Sequence, residues 1–348
     1  MKILITGNYH PDNERTRDLI CGLKQIGAKI IPLPYKSLKL DTAKKISEIS
    51  KTVDAVFLPG FTHNNVKQIK KISNAPVLFN PEISRYLSKV YDEKETIKFT
   101  PGAINSFYKD YRALKYADRV FTETKQYKHY FMNKMGVKAQ KIIVMPPAVD
   151  TSKYHPIKNI APDEFFRIVT IIENATLDSI EVIINAANLL HGQNFKFDLL
   201  GSHPEQVKIL KLISSKNLKN VNMMNYETDE ELNKFINYSS ACIGIFGDSK
   251  RSNMGVPKEI LKYAACGKPI ISKNSMAIKE VFTPGKDIIA IENSAEKIAS
   301  MIRELKNDPE MGLMLGKMAV KTIETKFQSK NSASILLKTI KRIKEKRL

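Results

Sequence analysis

The sequence predicts an α/β protein of two Rossmann-like domains, each a parallel sheet flanked by helices, on three observations. Short apolar runs of five to seven residues alternate with longer stretches whose apolar positions recur every three or four, the rhythm of strand, crossover helix and strand. That rhythm runs twice along the chain. The 348 residues also exceed the roughly 100 to 200 of one ordinary domain.

In the first half, strands are expected at Lys2–Thr6, Ala28–Leu33, Asp54–Pro59, Pro76–Asn80, Asp118–Glu123 and Lys141–Met145, runs too short for helices and rich in β-branched and aromatic residues. Helical spacing fills Arg15–Ile26, Thr42–Ile49 and Val66–Ile72. Pro146–Phe165 holds four prolines and no apolar periodicity, which reads as punctuation between domains. We take residues 1–150 as a first domain, 151–165 as a linker, 166–326 as a second domain and 327–348 as a closing helix. Second-half strands are expected at Phe166–Ile172, Lys196–Gly201, Asn220–Met224, Ala241–Gly247, Lys268–Ser272 and Asp287–Ile291. Pro257–Cys266 reads as a short helix, since Pro257 suits the first helical position, Gly267 suits the residue past the end, and Pro269 stops continuation. Thr228 and Glu231 have the spacing of a capping box. After Asn293 the pattern is helical only. In the last helix Ile335, Leu336, Thr339, Ile340 and Ile343 form a stripe opposite Lys338, Lys341, Lys344 and Lys346, basic and amphipathic, a solvated face over a core-facing one.

With 43% hydrophobic and 26% charged residues the chain has the matter for sizeable cores, which excludes wholesale disorder. No apolar run approaches the ~18 residues a membrane-spanning helix needs, and the opening MKILITGNYH lacks the apolar core of an export signal. Cys21, Cys242 and Cys266 stand far apart with no CxxC pair, which fits a reducing compartment, so a cytoplasmic location is expected. The formal charge of +20 is concentrated early: residues 1–160 carry 28 Lys and Arg against 14 Asp and Glu, the remainder 28 against 22. Such a surface attracts polyanions, whether nucleic acid, anionic lipid headgroups or phosphorylated small molecules. The 28 Phe and Tyr follow core periodicity instead of interleaving with cations, and no nucleic-acid recognition motif occurs, so nucleic acid is not an expected partner.

In an open parallel sheet the ligand sits beyond the carboxyl ends of the strands. The loop after the first strand, Gly7-Asn8-Tyr9-His10-Pro11-Asp12-Asn13-Glu14, leads into a helix with Arg15 and Arg17 in its first turn. Cations are disfavoured there unless an anion compensates, so either an anionic ligand or the neighbouring Asp12 and Glu14 meets them. His10 is a candidate polar contact or proton shuttle. A richer region runs from Gly244 to Ser272. There Asp248, Ser249, Lys250, Arg251, Ser252 and Asn253 precede the short helix, and Lys258 again puts a cation at a helix start. Lys250, Arg251 and Lys258 could converge on a diphosphate. Glu259 and Lys262, spaced i, i+3, are either a surface ion pair or a site where the carboxylate accepts hydrogen bonds from ribose hydroxyls. Six scattered His and the absence of a DxD show no metal-ligand spacing, and no cofactor is expected.

The stretch VPKEILKYAACGKPIISKNSMAIKEVFTPGKDIIAIENSAEKIASMIRELKNDPE resembles the nucleotide-sugar domain of GT-B glycosyltransferases of the family-four, or glycosyl transferases group 1, type. SACIGIFGDSKRSNMGVP, VIINAANLL and FKFDLLG are similar to the motifs preceding it in that family, and NPEIS, YADRVFTETKQYKHYF and PPAVDTSKYHP to motifs of its first domain. The resemblance covers nearly the whole chain. It implies two parallel-sheet domains facing across a cleft, donor in the second and acceptor in the first, a last helix returning to the first, and no metal. The resemblance supports Gly201, Ser202 and Arg251 on the donor side and Ser84 on the acceptor side; together with the loop readings above, donor contacts are expected at Gly201, Ser202, Lys250, Arg251, Asn253, Lys258, Glu259 and Lys262, acceptor-side contacts at Gly7, Asn8, His10, Arg15, Arg17 and Ser84, and catalytic roles at His10 and Glu259.

The chain departs from the family where the chemistry lies. Met254 and Lys262 stand where the family has paired carboxylates, Ile172 and Asp178-Ser179 where it has a glycine followed by a basic residue and glycine, Asn80 where it has Asp, and Ala148 where it has Gly. The expected function is therefore sugar transfer from a nucleotide-diphosphate sugar to a glycan or polyprenyl-linked acceptor, peripheral to an anionic membrane surface at the inner face and serving cell-surface glycan biosynthesis. The alternative is a GT-B chain without catalysis that acts as a binding partner or subunit of another transferase.

Overall fold

All twelve apolar runs form strands in the structure, a computed structural model that describes residues 1–348 except 93–94, 161–162, 174, 245, 248–252 and 346–348. The chain divides into two units, Met1–Ala148 with Gln328–Leu348, and Val149–Phe327. The first unit begins β1 (Lys2–Gly7), α1 (Glu14–Gln25), β2 (Lys29–Pro34), α2 (Leu40–Ser50), β3 (Ala55–Pro59), α3 (Val66–Ile72) and β4 (Val77–Asn80). It continues with the single turn α4 (Arg85–Leu87), then α5 (Pro101–Tyr116), β5 (Arg119–Thr122), α6 (Lys125–Met135) and β6 (Ile142–Val144). Its strands are parallel throughout, in the order β2-β1-β3-β4-β5-β6. Inner strand β3 is buried at every position because helices cover both its faces, whereas edge strand β2 is half-buried or exposed throughout. The winding reverses at β1, which lies between β2 and β3, so the loops leaving β1 and β3 flank the place where such sheets take ligands.

The second unit runs β7 (Phe166–Ile171), α7 (Leu177–Leu189), β8 (Phe195–Leu200), α8 (Gln206–Ser215), β9 (Val221–Met224), α9 (Asp229–Tyr238) and β10 (Ala241–Ile243). Next come α10 (Lys258–Ala265), β11 (Ile270–Lys273), α11 (Met276–Val281), β12 (Ile289–Ile291), α12 (Ala295–Asn307) and α13 (Pro309–Thr322). The strand order is β12-β11-β10-β7-β8-β9, all parallel, with the reversal between β7 and β10. Pleating sends Ile168 and Ile172 into the apolar cluster on one face of this sheet, with Phe197 and Ile302, and Val169 and Ile171 into the other, with Ile260 and Tyr263. Both faces are thus sealed, and only the strand ends remain for chemistry.

Two expectations change in the structure. The stretch read as a linker over 151–165 is fastened to the second unit: Tyr154 is buried, its hydroxyl donates to Asp229 Oδ1 at 2.6 Å, and the His155 and Ile157 amides donate to Asn233 and Asn237. Its prolines break periodicity without freeing the chain. Pro257 is the residue before α10, with extended ψ of 133°, not the first helical one. The closing helix α14 (Ser329–Glu345) belongs to the first unit, where Leu336, Ile340 and Ile343 share a core with Ile3, Ile5, Leu19 and Leu23. The capping box is present at α9, where Thr228 accepts from the Glu231 amide at 3.1 Å and the Glu231 carboxylate accepts from the Glu227 amide.

Candidate functional site

In the second unit the reversal between β7 and β10 brings together the loops that leave those strands, the end of β8, and the start of α10. α10 is the unusual element. All eight of its residues are buried, and they include Lys258, Glu259 and Lys262, exposed to only 6%, 7% and 7%. Burying ionic groups costs several kcal/mol each before charge partners compensate, and two ammonium groups with one carboxylate in five consecutive positions are a concentration of buried charge of the kind that gathers at functional sites. The helix starts without a side-chain cap from Pro257. That leaves its positive dipole end unneutralised by a capping oxygen from that residue. The Lys262 ammonium lies 5.1 Å from the centre of the Tyr154 ring, a cation–π contact.

One bond ties α10 to the sheet, and two more brace the strands and the loop beside it. The hydroxyl of fully buried Tyr263 accepts from the Ile171 amide at 2.7 Å, joining the helix to the carboxyl end of β7. Burial pushes that phenol well above its ordinary pKa, so it stays a neutral hydroxyl. Thr170 donates to the Ile243 carbonyl, and Ser179 accepts from the Phe246 amide at 2.8 Å, holding the β10 loop over β7. On the far side Lys273, at the end of β11, donates to the Gly247 carbonyl at 3.1 Å.

Gly201, at the end of β8, has φ of +95°, a conformation side chains resist, and a Cβ there would stand 2.4 Å from Cγ of Glu173. Glu173 follows β7 and is exposed, so the acid that faces the Gly201 turn is Glu173, while Asp178 lies exposed in the first turn of α7. Ser202 is exposed, and Asn253 is half-buried in the turn before α10. Lys250 and Arg251, with Asp248, Ser249 and Ser252, lie outside the described residues. Sequence reasoning missed Glu173, Tyr263 and Lys273; Lys273 was findable as a lysine at a strand's carboxyl end.

The acceptor-side candidates in the first unit separate into two groups. Gly7, at φ +144°, passes so close to Thr62 that a Cβ would sit 2.1 Å from its hydroxyl, and that hydroxyl accepts from the Asn8 amide at 3.1 Å. His10 is 77% exposed, with Nδ1 accepting from the Asp12 amide at 3.3 Å. Arg15 forms an ion pair with Glu123, a buried carboxylate just past β5. The pair borders a cavity of about 30 Å³ with Asn80, Met145 and Ser332, room for one or two waters. Arg17 lies half-buried in the first turn of α1.

Ser84 is spent elsewhere. Its buried hydroxyl donates to Asp110 Oδ2 at 2.7 Å and caps α4 by accepting from the Leu87 amide. Asp110 also accepts from the Arg85 and Tyr86 amides, and its Oδ1 lies 3.4 Å from Nε2 of buried His63. Burial raises the Asp110 carboxyl to about 6 against those donors, and burial, then the Arg85 charge, lower His63 to about 3. Among the described residues no group of three or more His, Cys, Asp or Glu is placed to hold a metal ion.

Residues 159–322, a span that contains this α10 site, match the family profile "Glycosyl transferases group 1". None of the curated proteins compared matches the sequence. Among solved structures the chain is similar to sucrose-phosphate synthase from Thermosynechococcus elongatus, with 15% identity, 99% of each chain covered and a TM-score of 0.79. HepE of Anabaena in complex with UDP and glucose gives 12% identity, 98% of this chain and 100% of that one, and a TM-score of 0.75. TarM of S. aureus, in a mutant form in complex with fondaparinux, α-GlcNAc-glycerol and UDP, gives 15% identity over 86% of this chain and 59% of that one, with a TM-score of 0.67. The chain therefore has the GT-B fold, and the resemblance to group 1 glycosyltransferases holds.

Proposed function

We propose that this protein transfers a sugar from a nucleotide-diphosphate sugar, with UDP as the nucleotide, to a glycan or lipid-linked acceptor. The observation that carries the reading is the buried trio Lys258, Glu259 and Lys262 on a helix that Pro257 leaves without a side-chain cap, at the sheet's winding reversal and inside the matched segment. The UDP bound in the HepE and TarM structures supports the choice of nucleotide. In this reading the bond from the sugar's anomeric carbon to the diphosphate breaks as the bond to the acceptor hydroxyl forms. Lys258 and Lys262, with Lys250 and Arg251 upstream in the sequence, stabilise the charge that gathers on the departing diphosphate. Glu259 accepts hydrogen bonds from ribose hydroxyls, and Gly201, Ser202 and Asn253 shape the donor loop. His10 takes the proton of the acceptor hydroxyl on the acceptor side. The reading uses side-chain cations where other transferases use a metal. It places the protein in the cytoplasm, at the inner face of the membrane.

The second reading, a binding subunit without catalysis, is favoured by one observation: the Glu173 carboxylate beside the Gly201 turn adds negative charge at the end of β8. Incubating the protein with labelled UDP-sugars and cell membranes separates the two. Transfer that survives a chelator and drops at least a hundredfold in Lys258→Ala supports the enzyme. No transfer from any UDP- or GDP-sugar, with stable capture of a second transferase chain, supports the subunit.

A further inference from the structure

In the first unit, the segment from Thr96 to Tyr116 leaves apolar side chains in water that nothing in that unit covers. Ile97 is 78% exposed, Phe99 88%, Ile104 59% and Tyr108 55%; no other stretch of twelve described residues shows so many large apolar side chains. Phe99 is held outward by its own backbone, at φ +66°, a conformation that bulky residues avoid. The turn is fixed by the Thr96 and Thr100 hydroxyls, 2.5 Å apart, and by Thr100 Oγ1 donating to the Ile97 carbonyl at 2.7 Å. Ile104, Tyr108, Arg112 and Lys115 then follow along one stripe of α5.

From 96 to 116 the outward-facing charge has one sign, and the exposed Glu95 just before it is paired with Lys89. Lys98 and Lys115 are exposed, and Lys109 and Arg112 are half-buried. The only acid between Thr96 and Tyr116 is Asp110, which is buried and faces inward to Ser84. The cations also lean on aromatic rings, Lys98 5.2 Å from the centre of Tyr91 and Lys115 5.6 Å from that of Tyr111, so apolar and cationic groups form one surface. Apolar side chains with cations beside them match the boundary between acyl chains and anionic headgroups. Among the described residues no helix is long and apolar enough to cross a membrane, so such a surface docks and does not span.

We infer that Ile97, Phe99, Ile104 and Tyr108, with Lys98, Arg112 and Lys115, dock the first unit onto an anionic lipid bilayer. The inference deepens the transferase reading by giving a membrane-borne acceptor a way to the protein, but its test does not depend on nucleotide. The full chain is sedimented with vesicles of phosphatidylcholine alone or with phosphatidylglycerol added, while its thermal shift with UDP is measured in parallel. Binding is expected to anionic vesicles only and to weaken with salt. Each cation is worth about fivefold in partitioning, so Lys98→Gln, Arg112→Gln and Lys115→Gln together should lower it on the order of a hundredfold. Ile97→Ser with Phe99→Ser should abolish it. Lys338→Gln with Lys341→Gln on α14 should change it little. Loss of vesicle binding in the α14 variant but not the patch variants would overturn the inference, as would a dimer in solution that the Ile97→Ser, Phe99→Ser chain no longer forms. A UDP shift without vesicle binding sinks only this inference, and vesicle binding without a UDP shift sinks only the transferase reading.

Discussion

Arg15→Ala tests whether the basic start of α1 is available to an acceptor or already committed. Its partner Glu123 is 7% exposed and Arg15 27%, so deleting the guanidinium strands a carboxylate that water barely reaches. Breaking a buried pair from one side costs about 3 to 5 kcal/mol, and the quarter exposure of Arg15 argues for the lower end. In a unit of roughly 170 residues, 1 kcal/mol moves Tm by about 2 to 4 °C, so a fall of about 6 to 12 °C is expected. Arg15→Met with Glu123→Met removes both charges at similar volume and should recover all but about 1 kcal/mol. Calorimetry of the full chain, which resolves the two units if they melt apart, reads both variants. An Arg15→Ala chain that melts within 1 °C of the parent yet loses transfer would refute the reasoning, because Arg15 would then be held for an anionic ligand and not for Glu123.

Three further outcomes follow from the geometry. Tyr263→Phe removes the acceptor for the buried Ile171 amide and should cost about 1 to 3 kcal/mol, with weaker UDP binding as α10 loosens from β7; unchanged urea midpoints would contradict it. Gly201→Ala should lose about 1 to 3 kcal/mol to its φ of +95°, and adding Glu173→Ala should not restore it, since the strain lies in the backbone; full rescue would show that side-chain crowding was the cause. The His63–Asp110 pair gives a pH signature. From about pH 6.5 down to 4 the unfolded chain takes a proton on His63 while the folded chain takes one on Asp110, so their effects on stability cancel. In Asp110→Asn only the depressed His63 remains, whose contribution is full above pH 6.5 and lost as pH falls, about 1.4 kcal/mol per unit; urea midpoints at pH 6.5, 5.5 and 4.5 that run parallel to the parent would contradict this.

Local pattern carried the architecture a long way. The first strand was expected at Lys2–Thr6 and spans Lys2–Gly7, and the helix expected from Pro257 to Cys266 spans Lys258–Ala265, because period and proline chemistry act within a few residues. The Ala241–Gly247 run ends as a strand at Ile243, where the chain leaves β10 to bring the Phe246 amide to Ser179. What stayed hidden depends on distance along the chain. Arg15 finds Glu123, and His63 finds Asp110, only after the parallel sheet has set the segments that carry them side by side, and no periodicity encodes that meeting. Ser84 looked like a ligand contact because a serine after a strand is equally suited to capping the next turn, which is what it does. The charges of α10 were legible as residue types, but that the whole helix is buried was not, since Glu259 and Lys262 read equally as a surface ion pair.

The central claim is that α10 grips a nucleotide diphosphate through Lys258 and Lys262. Isothermal titration of the full chain with UDP and with uridine tests it most directly. UDP should bind, uridine should bind at least tenfold more weakly, and Lys258→Ala should remove most of the UDP advantage while leaving uridine unchanged. Equal affinity for the two ligands, or a Lys258→Ala chain that still prefers UDP by the same factor, would contradict it.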